Sequence, residues 1–149
     1  MINPATGDVV ATVDGGSTKD MLTACDAAAT AQKLWAKVAP RERAEILRSC
    51  FETMISNQSD LADLIVAEHG KPKVDAMGEV AYAAEFFRWN SEETVRLHGT
   101  IGANPSGTAR MIVHHVPVGV VLMVTPWNFP AAMITRKVAP ALGLSLIHI

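Results

Sequence analysis

Cysteine is scarce in this sequence. The two present, Cys25 and Cys50, show no CxxC spacing, which argues against a zinc ribbon or disulfide framework and fits reduced thiols. Aromatic residues are few as well, at 5% of the chain. No charge of one sign dominates: 13 Lys and Arg against 15 Asp and Glu leave a formal net charge of -2. That balance offers no basic field to nucleic acid or to an anionic membrane surface. Gly and Pro are too sparse for a low-complexity or collagen-like chain. The longest wholly apolar run, near residues 118–124, is too short to cross a bilayer. No charged-then-apolar leader opens the chain, so the expected location is cytoplasmic. What remains is an ordinary globular composition of 149 residues, 49% hydrophobic and 19% charged. A domain of that length can bury roughly 68–70% of its unfolded surface.

The first two thirds read as helices. After the turn residues Asn3, Pro4 and Gly7, the group Val9, Val10, Ala11 and Val13 predicts a short edge strand closed by Gly15 and Gly16. Ser17 and Asp20 then mark a helix start, one capping orphan N–H groups and the other favouring the positive helix end. Met21, Cys25, Ala28 and Trp35 share one stripe of that helix, which makes Cys25 a packed core thiol. Pro40 opens a second helix with Leu47, Cys50, Phe51 and Met54 as its apolar face. Its other face carries Arg41–Glu45 and Arg48–Glu52 at i,i+4 spacing, a solvated surface. A third helix is predicted over 60–69, stopped by Gly70 and Pro72, with His69 favoured by the dipole of the last turn. A fourth over 73–98 buries Met77, Val80, Ala84 and Phe87, stops at Gly99 and turns Glu92 and Glu93 to solvent.

Beyond Gly99 the pattern changes. Asn104 to Gly107 is a turn cluster, and residues 110–116 are β-branched enough for a strand that finds no partner within the chain. His114 and His115 are adjacent on it, point to opposite faces and cannot chelate one ion. Pro117 ends it. Residues 118–124 then run apolar without alternation, the mark of a parallel strand buried on both faces. Only one more helix, over 131–142, follows, so such a sheet is incomplete and the chain reads as the beginning of a larger α/β protein.

Chemistry concentrates in Thr125, Pro126, Trp127, Asn128, Phe129 and Pro130, after the buried strand and before the last helix. Open α/β sheets bind ligands at that end of their strands. Two prolines stiffen the turn, and the Asn128 amide can donate to a developing negative oxygen, the logic of an oxyanion hole. It can equally cap the following helix. Both readings stand at this point.

The run TPWNFP followed by AMITRKVAPAL resembles the aldehyde dehydrogenase superfamily, most of all its succinate-semialdehyde dehydrogenase branch. Other stretches agree in order along the chain. These are Asn3 to Gly7, Trp35 with Arg41 to Arg43, the Glu68-His69-Gly70-Lys71-Pro72 turn, and Pro117 to Val120 at the entry to the sheet. The resemblance implies an incomplete α/β fold, the amino-terminal part of an aldehyde dehydrogenase-like architecture. Residues 1–103 would be the helical part of a cofactor-binding domain and 104–117 an oligomerisation-type β-hairpin. Residues 118–142 would be the first βα unit of a Rossmann-like parallel sheet, and 143–149 a tail that matches nothing in the family.

The same resemblance implies oxidation of succinate semialdehyde, or a similar short semialdehyde, through a cysteine thiohemiacetal with NAD or NADP as acceptor. It assigns Asn128 to the oxyanion. Thr125, Pro126, Trp127 and Asn128 line the nicotinamide side of the cofactor, and Arg136 takes the substrate's far carboxylate. A guanidinium suits a carboxylate bidentately, although a helix residue at Arg136 can also be plain surface. Lys137 matches a lysine common to the family. The nucleophilic cysteine, the general-base glutamate and the glycine-containing cofactor turn have no match here, and Cys25 and Cys50 lie on apolar helix faces. The chain alone is therefore expected to be inactive. Implied partners are a small-molecule semialdehyde and a second or further copies in a homodimer or homotetramer, with no nucleic acid, membrane or metal. The alternatives are a dehydrogenase of glutarate semialdehyde or an uncharged aldehyde, or a non-catalytic helical fragment.

Overall fold

The structure is a computed structural model that describes residues 1–145 and the backbone of Ile147 and His148. Leu146, Ile149 and the side chains between them, including His148 (to which no function is assigned), lie outside the described residues. Five helices carry the core: α1 (Thr18–Trp35), α2 (Pro40–Ser56), α3 (Gln58–His69), α4 (Lys73–Thr94) and α5 (Ala132–Gly143). Two small sheets accompany them, an antiparallel hairpin of β1 (Thr100–Ala103) with β2 (Arg110–Val113), and a parallel pair of β3 (Val120–Val121) with β4 (Ile147–His148).

Helix α4 is the centre, packed against α2, α3 and α5. Its buried Ala76, Ala83 and Ala84 let neighbouring backbones approach closely, while Val80 and Phe87 fill the space between. One cluster joins Ala62 and Ile65 of α3 to Ala76 and Val80. A second joins Leu47 of α2, Phe87 of α4 and Ala139 of α5, with Cys50, Phe51 and Met54 alongside. Burial pushes the Cys50 thiol up from its ordinary value. The chain leaves α3 through Gly70 at φ 71°, where a Cβ would meet Pro4 Cγ at 2.9 Å, so only glycine suits this stop.

Ser17 caps α1 in a reciprocal box with Asp20: Ser17 N–H donates to the Asp20 carboxylate at 2.8 Å, and Asp20 N–H to Ser17 Oγ at 3.3 Å. These bonds hold the Asp20 carboxyl below its ordinary value. Their contribution is present above the unfolded carboxyl's pKa and is lost as pH falls through the lower folded value. Ser17→Ala is expected to cost α1 about 1 kcal/mol, read as faster amide exchange in its first turn at neutral pH.

Several expectations are corrected. Residues 9–13 form no strand; a single antiparallel bridge joins Ile2 to Val9, Val10 N–H donates to Met1 O at 3.1 Å, the N-terminal ammonium donates to Ala11 O at 2.8 Å, and Val9 and Val13 are exposed. The α1 stripe is buried only at Ala28, because α1 lies against the small β3–β4 pair rather than on the helical core; Met21 is exposed and Cys25 half-buried. Glu45 pairs with Arg48 at 2.8 Å instead of Arg41, and Arg48 also reaches Glu52. Helix α4 ends at Thr94, where the chain tightens and Arg96 N–H bonds Glu93 O at 2.9 Å, well before Gly99. The strand at 110–113 does find a partner within the chain: Thr100 faces Val113 and Ala103 faces Arg110. The hairpin thus begins before residue 104. In the apolar run only Val120 and Val121 pair, and Val118, Leu122 and Val124 are exposed rather than buried. Burial on both faces needs a helical layer on each side and strands on each edge, and the described residues supply one neighbouring strand. Among the described residues no helix is long and apolar enough to cross a membrane.

Candidate functional site

The turn carrying Thr125, Pro126, Trp127, Asn128 and Phe129 links β3 to α5 and lies on the surface, with the Trp127 indole 79% exposed. Its backbone is nevertheless held from below. Lys71, in the connector between α3 and α4, donates from Nζ to Asn128 O at 3.2 Å and stands 4.2 Å over the Phe129 ring. The same ammonium pairs with Glu79 of α4. Glu79 in turn accepts at Oε1 from Ala131 N–H at 2.9 Å and Ala132 N–H at 3.3 Å. His69 ends α3 beside Trp127, ring centroids 5.7 Å apart, with both ring nitrogens buried and without a hydrogen-bond partner among the described residues. Lys137 ties α5 back to the end of the apolar run through Val124 O.

This arrangement separates the two readings of Asn128. Helix α5 has Ala131 at its N-cap and no side-chain cap of its own; Glu79 meets its leading N–H groups. Among the described residues the Asn128 side-chain amide makes no hydrogen bond at all, so it does not cap α5. The same geometry closes this helix N-terminus to phosphate, because a carboxylate already occupies the place an anion would take. What the turn presents is a flat indole, a backbone edge and a carboxamide donor.

Arg136 is exposed on α5 and has no ion pair or hydrogen bond among the described residues. The C-terminal end of that helix is also clamped. Trp35 Nε1 donates to Leu142 O at 3.1 Å, and the buried Arg43 donates to Gly143 O at 3.3 Å and to Val38 O. A cation at the negative helix end and a carboxylate at the positive one both follow the helix dipole. Burial lowers the Arg43 pKa from its ordinary value. Cys25 belongs to α1 and Cys50 packs into the α2–α4–α5 core, so neither thiol sits on the turn.

No local sequence pattern marks Glu79, Lys71 or Arg43 as a functional residue. Glu79 comes nearest: it lies three residues after Ala76 and four before Ala83, an acid on the apolar stripe of the central helix. Its partners are distant in sequence, and no local pattern names them. A separate cleft of about 680 Å³ between Val38, Leu97, His114, Pro117 and Ser145 includes none of the turn residues.

A family model described as "Aldehyde dehydrogenase family" matches residues 1–145. A succinate-semialdehyde dehydrogenase of Paenarthrobacter nicotinovorans is 51% identical over 135 residues, which is 91% of this chain and 30% of that protein. A glutarate-semialdehyde dehydrogenase of Pseudomonas putida is 48% identical over 141 residues, 95% of this chain and 29% of that protein. Among solved structures, an E. coli NADP-dependent enzyme superposes with a TM-score of 0.96 at 43% identity, covering 99% of this chain and 31% of the other. The chain therefore spans about 30% of the length of the relatives it matches.

Proposed function

The chain belongs to the aldehyde dehydrogenase family, and from that premise we propose that it forms the oxyanion side of an NAD(P)-dependent semialdehyde dehydrogenase. The observation that carries this is the Asn128 carboxamide: exposed, unpartnered among the described residues, and set on a turn whose backbone Lys71 and Glu79 hold. As a thiolate sulfur, supplied by neither Cys25 nor Cys50, bonds to the aldehyde carbon, the carbonyl π electrons move onto oxygen. A fixed neutral donor aimed at that oxygen stabilises the charge without having to reorient. The nicotinamide cofactor, when bound, accepts the hydride that leaves the same carbon. Thr125, Pro126 and Trp127 would hold its ring, and loss of the hydride leaves a thioester that water hydrolyses to the acid, returning the sulfur as thiolate.

Arg136 supports a substrate with a far carboxylate, and succinate semialdehyde is the proposed one. The Pseudomonas putida relative keeps glutarate semialdehyde as a second reading. The two differ by one methylene, and such a difference is worth only about 1–3 kcal/mol in a pocket. The β1–β2 hairpin, with Ile101, Met111, Ile112 and Val113 exposed, is the proposed contact joining copies into a dimer or tetramer. The free thiols fit a reducing cytoplasm.

The test uses the complete enzyme, a chain of the relatives' full length that carries this segment, alongside the 149-residue chain alone. The complete enzyme is expected to reduce NAD or NADP with succinate semialdehyde at a higher kcat/KM than with butanal. The 149-residue chain is expected to give no turnover and to aggregate through the exposed apolar residues that flank β3, Val118, Leu122 and Val124. Turnover by the short chain, or a preference for butanal by the long one, would overturn the proposal.

A further inference from the structure

We propose that Lys71 and Glu79 are positioning residues that set where the Asn128 amide points, acting through the backbone that follows it. The inference rests on the reading of Asn128 as the oxyanion donor, and it adds two residues that touch neither substrate nor cofactor.

The Glu79 side chain is 1% exposed and that of Lys71 12%. Burying a carboxylate and an ammonium costs both of them their water, and a well-packed apolar pair commonly stabilises a fold as well or better. A buried pair differs from an apolar one in direction. Here every contact is spent on one short piece of chain. The Lys71 ammonium divides among the Glu79 carboxylate, the carbonyl of Asn128 and the face of the Phe129 ring. The Glu79 carboxylate uses Oε2 for Lys71 and Oε1 for the N–H groups of Ala131 and Ala132. The peptide that follows the Asn128 Cα is therefore fixed by the cation, and the first turn of α5 by the anion. The anion and the cation are fixed by each other.

The platform beneath is rigid for independent reasons. Glu79 stands on the buried face of the central helix, between Ala76 and Ala83. Lys71 follows Gly70, whose left-handed conformation and close approach to Pro4 leave the connector one path. Asn128 lacks such support of its own, since among the described residues its side chain bonds to nothing and its surroundings are open. A donor that must meet a developing oxyanion tolerates little displacement: a misplacement of about 1 Å can cost about 10²-fold in rate. The ion pair supplies the constraint that the turn does not contain.

The experiment is a double-mutant cycle in the complete enzyme. Glu79→Gln keeps the side chain's shape and an oxygen for the Ala131 and Ala132 N–H groups, but it removes the charge that holds Lys71. Lys71→Gln removes the cation and leaves the Glu79 cap, which gives a second route if the first variant fails to fold. Each is expected to lower kcat about tenfold or more with KM and cofactor Kd nearly unchanged, and Lys71→Arg is expected to recover most of the loss. In the Asn128→Ala background neither substitution is expected to lower kcat further, because residues acting through one group are not additive. If Asn128→Ala lowers kcat but Glu79→Gln and Lys71→Gln leave it normal, or multiply the loss in the double variants, the positioning role is wrong and the oxyanion reading survives. If Asn128→Ala itself leaves kcat normal, the oxyanion reading falls and the positioning role falls with it.

Discussion

Asn128→Ala in the complete enzyme is expected to lower kcat by about 10²–10³-fold, or roughly 2.7–4 kcal/mol of transition-state stabilisation, the usual cost of removing one oxyanion donor. Cofactor affinity and melting temperature should change little. Stability should hold because the amide makes no hydrogen bond among the described residues and α5 takes its cap from Glu79, so truncation leaves no orphan group behind. A helix-capping asparagine would behave in the opposite way, losing about 1 kcal/mol of stability with near-normal turnover. The comparison must be made where chemistry limits the rate, as single-turnover reduction of the cofactor shows. A normal single-turnover rate in the variant would remove Asn128 from the mechanism.

Arg136→Ala carries the second large effect, and its size depends on the substrate. A charge-assisted pair between guanidinium and carboxylate contributes about 1.5–3 kcal/mol. At roughly tenfold per 1.4 kcal/mol, kcat/KM for succinate semialdehyde should fall by about 10–10²-fold. Butanal has nothing for Arg136 to hold, so its kcat/KM should stay within about twofold. Arg136→Lys should recover only part of the loss, because an ammonium keeps the charge without the planar pair of donors. Equal losses for both aldehydes would mean that Arg136 shapes α5 rather than the substrate, and no change for either would make it an ordinary surface residue.

Much of the helical architecture is legible in the residues because its signals are local. Ser17 with Asp20, Pro40, and Gly70 before Pro72 each punctuate the chain within one turn of the element they bound, and the observed helices start and stop there. The apolar face of Leu47, Cys50, Phe51 and Met54 likewise meets the core as its spacing predicts. The strands are less legible for a physical reason. Pairing for residues 110–113 comes from Thr100–Ala103, a short segment with a glycine and no alternation, so nothing in it announces a strand before its partner arrives. The run at 118–124 has the composition of a doubly covered strand, yet composition reports what a segment can bury and not which layers lie against it.

The site divides in the same way. The TPWNFP turn is visible from its prolines, its place after an apolar run and its resemblance to a known family. Its support is not, because it is assembled across the fold. Glu79 lies more than fifty residues from the N–H groups it binds, and Lys71 is 57 residues from Asn128. Arg43 and Trp35 reach the other end of α5 from a hundred residues away. Each is a charged or polar side chain in a segment whose pattern otherwise predicts core, turn or solvent, and only the tertiary arrangement shows what it holds.

The most direct measurement is a crystal structure of the complete enzyme with an aldehyde held as its covalent adduct on the nucleophilic cysteine. The account predicts Asn128 Nδ2 within about 2.7–3.1 Å of the adduct oxygen, the range for a donor placed to meet an oxyanion, with the Lys71–Glu79 pair still beneath the turn. An adduct oxygen satisfied by other donors, with the Asn128 amide turned away from it, would contradict the account.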